Sequence, residues 1–211
     1  MNSQANNLIS TITKLQRNFI NNRPINVLFC DIQDKYIQKV YKSQDVIKTA
    51  EEMAEASKIL RLNQIVTEHQ KNVFGKTIKE ITQHLTDDAS ISEKTRFAMV
   101  DDEFINKQDE DAVYVLLGIE AHICVTQTAL NILKNQKPLI LIADGISSTN
   151  SGDRELALGN LQTMGAYLTT SQSFMFLLLR DSNHDSFKSL LNIFKSYSNR
   201  ENSILNKCPM F

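Results

Sequence analysis

Residues Asp111 to Leu133 read D-A-V-Y-V-L-L-G-I-E-A-H-I-C-V-T-Q-T-A-L-N-I-L, and this stretch decides the fold. Ala112 to Leu117 is a continuous apolar run rich in Val and Leu. A run of that kind suits a strand buried on both faces, as in a parallel sheet covered by helices. Gly118 is expected to end the strand. From about Ala121 the period changes. Ile123, Leu130 and Leu133 fall near one helical face, with Ala129 and Ile132 beside it. Cys124 therefore stands where a strand turns through a tight corner into a helix. Ligands in open α/β sheets bind at the carboxyl ends of strands, and the positive end of a helix dipole favours a thiolate. The plain alternative is a buried core cysteine, since free Cys is among the most buried residue types.

Similar signals flank this stretch. Ile25 to Cys30 (I-N-V-L-F-C) reads as a buried strand closed by Asp31. A helix is expected from about Gln44 to Leu60 with Ser43 as N-cap, then a short strand at Gln64 to Thr67. Thr77 to His84 suits a short helical turn. Phe97 to Val100 reads as a short strand or the approach to a small helix at Asp102 to Lys107. Pro138 to Ala143 (P-L-I-L-I-A) is another apolar strand, with Asp144-Gly145 as a turn signal. A helix from Asp153 to Met164 capped by Ser151, a strand at Ala166 to Thr169, a helix capped by Ser171 and a last helix from His184 to Tyr197 complete the pattern. Strands alternate with helices, which argues for stacked βαβ units, a mainly parallel sheet and one domain over 1–211. Residues 1–23 are expected to add a helical extension, with Leu8, Ile12, Leu15 and Phe19 at helical spacing. Residues 198–211 are expected to form a tail lying across the surface or a neighbour.

Composition narrows the function. The chain has 211 residues, 42 % hydrophobic and 22 % charged, as in ordinary globular proteins. A net charge of −1 provides no field for steering onto nucleic acid, and no apolar run reaches the length of a membrane span. The 3 cysteines, Cys30, Cys124 and Cys208, lack C-x-x-C spacing, so neither a disulfide framework nor a zinc site is expected. A reducing, cytoplasmic compartment is the simplest expectation. The acid-poor N-terminus makes a mitochondrial presequence the competing reading. The 4 histidines form no H-x-H or H-x-x-x-H pair, and no metal or other cofactor is expected. The absence of a G-x-S-x-G elbow, a P-loop and a G-x-G-x-x-G loop removes most serine hydrolases, nucleotide binders and Rossmann dehydrogenases.

Three polar residues sit at expected strand ends: Asp31, Lys94 and Cys124. In a doubly wound sheet the first and central strands are commonly neighbours at the switch point, so Asp31 and Cys124 can converge. A carboxylate in reach can accept the thiol proton, and an ammonium nearby can stabilise the thiolate. The corner Gly118-Ile119-Glu120-Ala121 can aim backbone N–H groups at an oxyanion. Each residue also has a plainer role open to it. Asp31 suits a turn or cap, Lys94 solvated surface, Glu120 a solvated rim, and Asp144 a turn or helix-organising position.

These segments resemble a known family. Asp31 in F-C-D-I-Q-D-K-Y, Lys94 in E-K-T-R-F-A-M and Cys124 in G-I-E-A-H-I-C-V-T-Q-T-A-L are similar to the motifs of the isochorismatase-like cysteine hydrolases. L-I-L-I-A-D-G-I-S-S-T-N and M-G-A-Y-L-T-T-S-Q-S continue the likeness, which covers roughly Ile25 to Phe194 and is greatest to the eukaryotic isochorismatase domain-containing proteins. The resemblance implies a three-layer α/β/α sandwich with a central parallel sheet, Rossmann-like in its winding. It implies an Asp31–Lys94–Cys124 triad, a cis peptide at Ile119-Glu120, and an oxyanion hole from N–H groups between Glu120 and Cys124. It also implies a homo-oligomer. Gln33, two residues beyond Asp31, is expected to bind or orient substrate, and Phe97 to wall the pocket. Two departures narrow the chemistry. The stretch T-E-H-Q-K-N-V-F-G lacks the tryptophan and paired histidines of metal-dependent nicotinamidases. True isochorismatases have glycine where Cys124 stands. The expectation is a cysteine-dependent hydrolase of a small amide or related acyl substrate, working through a thioester. The alternative is a catalytically silent family member acting as an oligomeric binding or scaffold protein. RNA binding or cleavage ranks last, because no basic stripe is interleaved with aromatics.

Overall fold

A computed structural model describes residues 24–201 and 203–207. In chain order its elements are β1 (Ile25–Cys30), α1 (Ser43–Ile59), β2 (Asn63–His69), α2 (Lys71–Phe74), α3 (Lys79–Thr82) and β3 (Ser90–Lys94). Then come α4 (Asp102–Asn106), β4 (Val113–Ile119), a π-type turn (Ala121–Val125), α5 (Thr126–Lys134) and β5 (Leu139–Ser147). The chain closes with α6 (Ser151–Thr163), β6 (Tyr167–Thr169), α7 (Ser171–Leu179) and α8 (Phe187–Ser198). The expected N-terminal helix and Cys208 lie outside the described residues.

The strands form one six-stranded sheet in the order β3-β2-β1-β4-β5-β6, and every pairing is parallel. The chain lays β2 and β3 to one side of β1, then crosses to place β4 on its other side. The switch point is therefore the β1–β4 seam. Every residue of β1 and β4 is buried, as their apolar runs require of strands covered on both faces. Helices α1, α7 and α8 pack together on one side of the sheet, and α5 and α6 pack together with the π-type turn. This is the expected α/β/α sandwich.

Several local expectations need correction. The strand β4 runs through Gly118 to Ile119. Gly118 has φ +147 and pairs in register with Cys30; a Cβ there would stand 2.3 Å from the Cys30 carbonyl oxygen. Glycine is required by this close approach of two backbones. Asp144-Gly145 is not a turn. It lies inside β5, in a bulge where the pairing jumps from Leu116↔Leu141 to Gly118↔Ile146. The wholly buried Arg154 fills the kink, donating from Nε to Ile146 O at 2.7 Å and from Nη2 to Ala143 O at 2.6 Å. Asp144 does organise a helix. It accepts the Ser171 N–H and hydroxyl, at 2.8 and 2.7 Å, where α7 begins. Of the two expectations for 97–100 the strand does not form, and the segment leads into the small helix α4. The strand of this region is Ser90–Lys94, mostly exposed on the sheet edge, so its sequence carries no buried alternation. The helix caps are Asn150 and Thr170, one residue before the expected serines, and α1 starts from Lys42 in a left-handed conformation.

Part of the tail returns to the body. Ile204 is fully buried, and the Ser203 hydroxyl and Ile204 N–H donate to Asp45 Oδ2 at 2.9 and 2.8 Å. Among the described residues no helix is long and apolar enough to cross a membrane.

Candidate active site

The carboxyl ends of β1, β3 and β4 carry Asp31, Lys94 and Cys124 into one place. Asp31 follows β1 directly and turns with φ +55, and its side chain is buried. Lys94 is the last residue of β3; its edge strand is exposed, but its own side chain points inward and is buried. Cys124 sits in the π-type turn after β4. The Lys94 ammonium is 2.6 Å from Asp31 Oδ2 and 3.8 Å from Cys124 Sγ. It also donates to the carbonyls of Arg96 and Phe97 at 3.1 and 2.8 Å. The other oxygen of Asp31 accepts from the Thr67 hydroxyl at 2.7 Å, so both oxygens are held. The surface-lysine alternative for Lys94 and the simple turn alternative for Asp31 are thus excluded.

These groups open on a cavity of about 140 Å³ whose wall is mainly apolar. Asp31, Cys124, Ile119 and Ile123 line it together with Tyr36, Phe74, Phe97 and His69. Phe97, half exposed, stacks on His69 with centroids 5.6 Å apart. Tyr36 meets Phe74 edge-on at 5.4 Å. Burial and the nearby Lys94 charge push the His69 imidazole below its ordinary pKa. Burial pushes the Cys30 thiol well up, helped by its hydrogen bond with Cys124 and the Asp31 charge.

Gln33 lines the cavity, but its amide is committed elsewhere. Nε2 donates to His69 O at 3.1 Å and Gly75 O at 2.7 Å, and Oε1 accepts the His69 N–H at 2.8 Å. It ties the loop after β1 to the loop after β2. These bonds give Gln33 a structural role beside its place on the cavity wall, one that extended-chain spacing cannot show because two distant backbone segments claim the side chain.

Glu120 is not a solvated rim charge. It is buried and lines the cavity, and its Oε1 accepts from the Tyr36 hydroxyl at 2.8 Å and the Thr149 hydroxyl at 2.7 Å. The cis peptide implied at Ile119-Glu120 is absent; the described peptides are all trans. The chain turns here because Glu120 takes the left-handed region, φ 54 and ψ 67. The Ile123 N–H donates to Glu120 O at 2.9 Å, which removes it from the Glu120–Cys124 group.

Sequence reasoning passed over Thr67, Tyr36, His69, Phe74 and Thr149. Thr67 had a signal, since it ends a strand next to the one that delivers Asp31, and neighbouring strand ends share a crevice. Tyr36 stands five residues past Asp31 in the quoted motif. Thr149 had none. Among the described residues no cluster of three or more His, Cys, Asp or Glu is placed to hold a metal ion.

Comparison with known proteins agrees with this layout. The isochorismatase domain matches residues 26–173. Isochorismatase family protein 1B of Dictyostelium discoideum is 34 % identical over 175 residues, covering 80 % of this chain and 85 % of that protein. A solved structure named MAR1 ribonuclease, from Caenorhabditis elegans, superposes with a TM-score of 0.78 at 29 % identity, covering 83 % of this chain and 91 % of its own. The YcaC gene product of Escherichia coli, described as an octameric hydrolase of unknown specificity, shares the fold with a TM-score of 0.70 at 18 % identity, covering 83 % of this chain and 94 % of its own. The domain match spans the segment that carries Asp31, Lys94 and Cys124, and with it the sheet that brings them together; the chain belongs to the isochorismatase family.

Proposed function

We propose that this protein is a cysteine hydrolase that cleaves the carbon–nitrogen bond of a small acyl substrate. The observation that carries the reading is the Lys94 ammonium bridging a buried carboxylate and a thiol, 2.6 Å from Asp31 Oδ2 and 3.8 Å from Cys124 Sγ, at a mainly apolar cavity. Asp31 accepts the proton as Cys124 Sγ attacks the carbonyl carbon. The carbonyl π electrons move to oxygen, where backbone N–H groups of the turn receive the charge. Collapse re-forms the C=O bond and expels the amine, which takes the proton from Asp31. Asp31 then removes a proton from water as the water attacks the thioester. Cys124 departs with its bonding electrons and recovers that proton. Lys94 holds Asp31 in place and compensates the negative charge that passes between oxygen and sulfur. The roles of Ile119 and Glu120 follow from the same turn: Ile119 walls the cavity and Glu120 fixes the corner.

Self-association belongs to the same reading. Phe176, Leu177 and Leu191 on α7 and α8 are all exposed, and an apolar surface of this kind suits a subunit contact. The silent-scaffold alternative shares that surface and differs only in turnover. The name of the nematode neighbour raises ribonuclease activity as another reading. Against it, two carboxylates and no Lys or Arg line the cavity, a poor match to a phosphodiester. A panel of small amides, with the thioester trapped on Cys124 and located by mass spectrometry, tests the proposal. Hydrolysis that survives Cys124→Ser at the native rate, or no hydrolysis across the panel, would defeat it.

A further inference from the structure

The cavity is electrically one-sided. Among its described lining residues there is no Lys or Arg. The Lys94 ammonium, beside Asp31, donates to Asp31 Oδ2 at 2.6 Å and to the Phe97 and Arg96 carbonyls at 2.8 and 3.1 Å, and the Lys39 ammonium lies over the Tyr36 ring, 5.6 Å from its centroid. Asp31 and Lys94 together are neutral. Glu120 is then a second carboxylate without a cation of its own on the cavity wall. Its Oε1 takes the Tyr36 and Thr149 hydroxyls, while Oε2 has no hydrogen bond and lies 3.4 Å from His122 Nδ1. His122 does not line the cavity and also faces Ser148 Oγ at 3.1 Å and Asp153 Oδ2 at 3.9 Å. Lys71 is paired with Glu68 at 2.6 Å. His69 is held toward its neutral form by burial and by Lys94, so it adds no positive charge.

Much of the remaining wall is aromatic, beside Ile119 and Ile123. Tyr36, Phe74 and Phe97 surround the opening with His69 among them, centroids 5.4 to 5.6 Å apart. Ring faces carry negative potential and attract organic cations, most strongly where water is excluded. A carboxylate beside such rings adds to the same attraction.

Taking the hydrolase reading above as its basis, we infer that the cavity selects acyl substrates carrying a small organic cation, a quaternary ammonium or pyridinium group, and rejects carboxylate-bearing ones. The rings receive the cation and Glu120 supplies the field that discriminates its charge. An anionic acyl group meets two carboxylates and no Lys or Arg among the described lining residues.

Three probes of nearly one shape test this on the full chain: choline, its neutral isostere 3,3-dimethylbutan-1-ol, and the anion 3,3-dimethylbutanoate. Saturation-transfer NMR titration measures each affinity. Choline is expected to bind about tenfold tighter than the alcohol, with the anion weaker still. Glu120→Gln, nearly the same shape, should lower the choline-to-alcohol ratio to about threefold or less. Phe97→Leu, at an exposed position, should weaken choline more than the alcohol, and thermal melts verify that both variants fold. Equal affinities, a reversed order, no binding of any probe, or a ratio untouched by both variants would overturn the inference. A cation preference without hydrolysis of any amide would defeat only the hydrolase reading. Efficient hydrolysis of carboxylate-bearing amides would defeat only this one.

Discussion

Lys94 and Asp31 form an ion pair 2.6 Å long in which each side chain is only 5 % exposed, although they are 63 residues apart in sequence. Desolvating two such groups costs much of what their attraction returns, so a pair like this is a weak device for stability. Its geometry points to a positioned site, because the same ammonium faces Cys124 Sγ at 3.8 Å.

Removing one partner separates these roles. Asp31→Asn leaves Lys94 two carbonyl acceptors but removes the proton acceptor. It should lower kcat by about 10²- to 10⁴-fold, read from steady-state turnover. Lys94→Met leaves Asp31 buried without its cation and should cost about 3–5 kcal/mol in urea unfolding. Native turnover in the asparagine variant would remove Asp31 from the chemistry.

The two described cysteines should differ in reactivity. Cys30 is wholly buried, and burial, the contact with Cys124 and the Asp31 charge all push its thiol up, while Cys124 lines the cavity. Iodoacetamide should modify Cys124 at least about tenfold faster than Cys30 by peptide mapping, and Asp31→Asn should slow it. Equal, sluggish labelling of both would count heavily against a nucleophilic Cys124.

Gln33 should behave as a structural residue. Gln33→Leu leaves the His69 N–H and the His69 and Gly75 carbonyls without this partner. Each buried orphan costs about 1–3 kcal/mol. The urea midpoint should fall while KM moves little. A large rise in KM with an unchanged midpoint would support the substrate-binding role instead.

At the β1–β4 seam, Gly118→Ala should destabilise by about 1–3 kcal/mol or more, since the new Cβ meets the Cys30 carbonyl oxygen at 2.3 Å. Cys30→Ala should not rescue it, because the obstructing atom is backbone. A double-mutant cycle on melting temperatures reads this directly.

Arg200 stands between two buried carboxylates, 3.3 Å from Glu52 Oε2 and 3.4 Å from Asp144 Oδ2. Burial raises the pKa of both acids, and Arg200 pulls both back down. Arg200→Met should therefore raise them further and cost about 3 kcal/mol at neutral pH. A carboxyl raised in the folded state binds its proton more tightly there than in the unfolded chain. Its stability contribution is then greatest below the unfolded value and declines as pH rises through the folded one. The deficit of the variant should shrink from pH 7 to pH 5. A deficit that grows on acidification would contradict this arrangement.

The central strands were legible because burial on both faces leaves a local mark. Val113–Ile119 and Ile25–Cys30 are apolar at every or nearly every position, and the chain alternates strand and helix around them. The edge strand Ser90–Lys94 leaves no such mark, and an Asp-Gly pair reads as a turn whether it ends a strand or bulges one. Motif likeness singled out residues 31, 94 and 124 in order, but it also implied a cis peptide that the left-handed Glu120 makes unnecessary.

The amino-acid order alone determined the layered α/β class and the parallel winding, because both depend on hydrophobic period and chain order. Only the tertiary structure decided what the site side chains touch. Gln33 became a loop tie, Glu120 a buried cavity carboxylate, and Thr67 the second anchor of Asp31. Each rests on groups 36 to 84 residues apart. Hydrogen bonds and ion pairs of that reach are set by strand register and sheet twist, which no local pattern encodes.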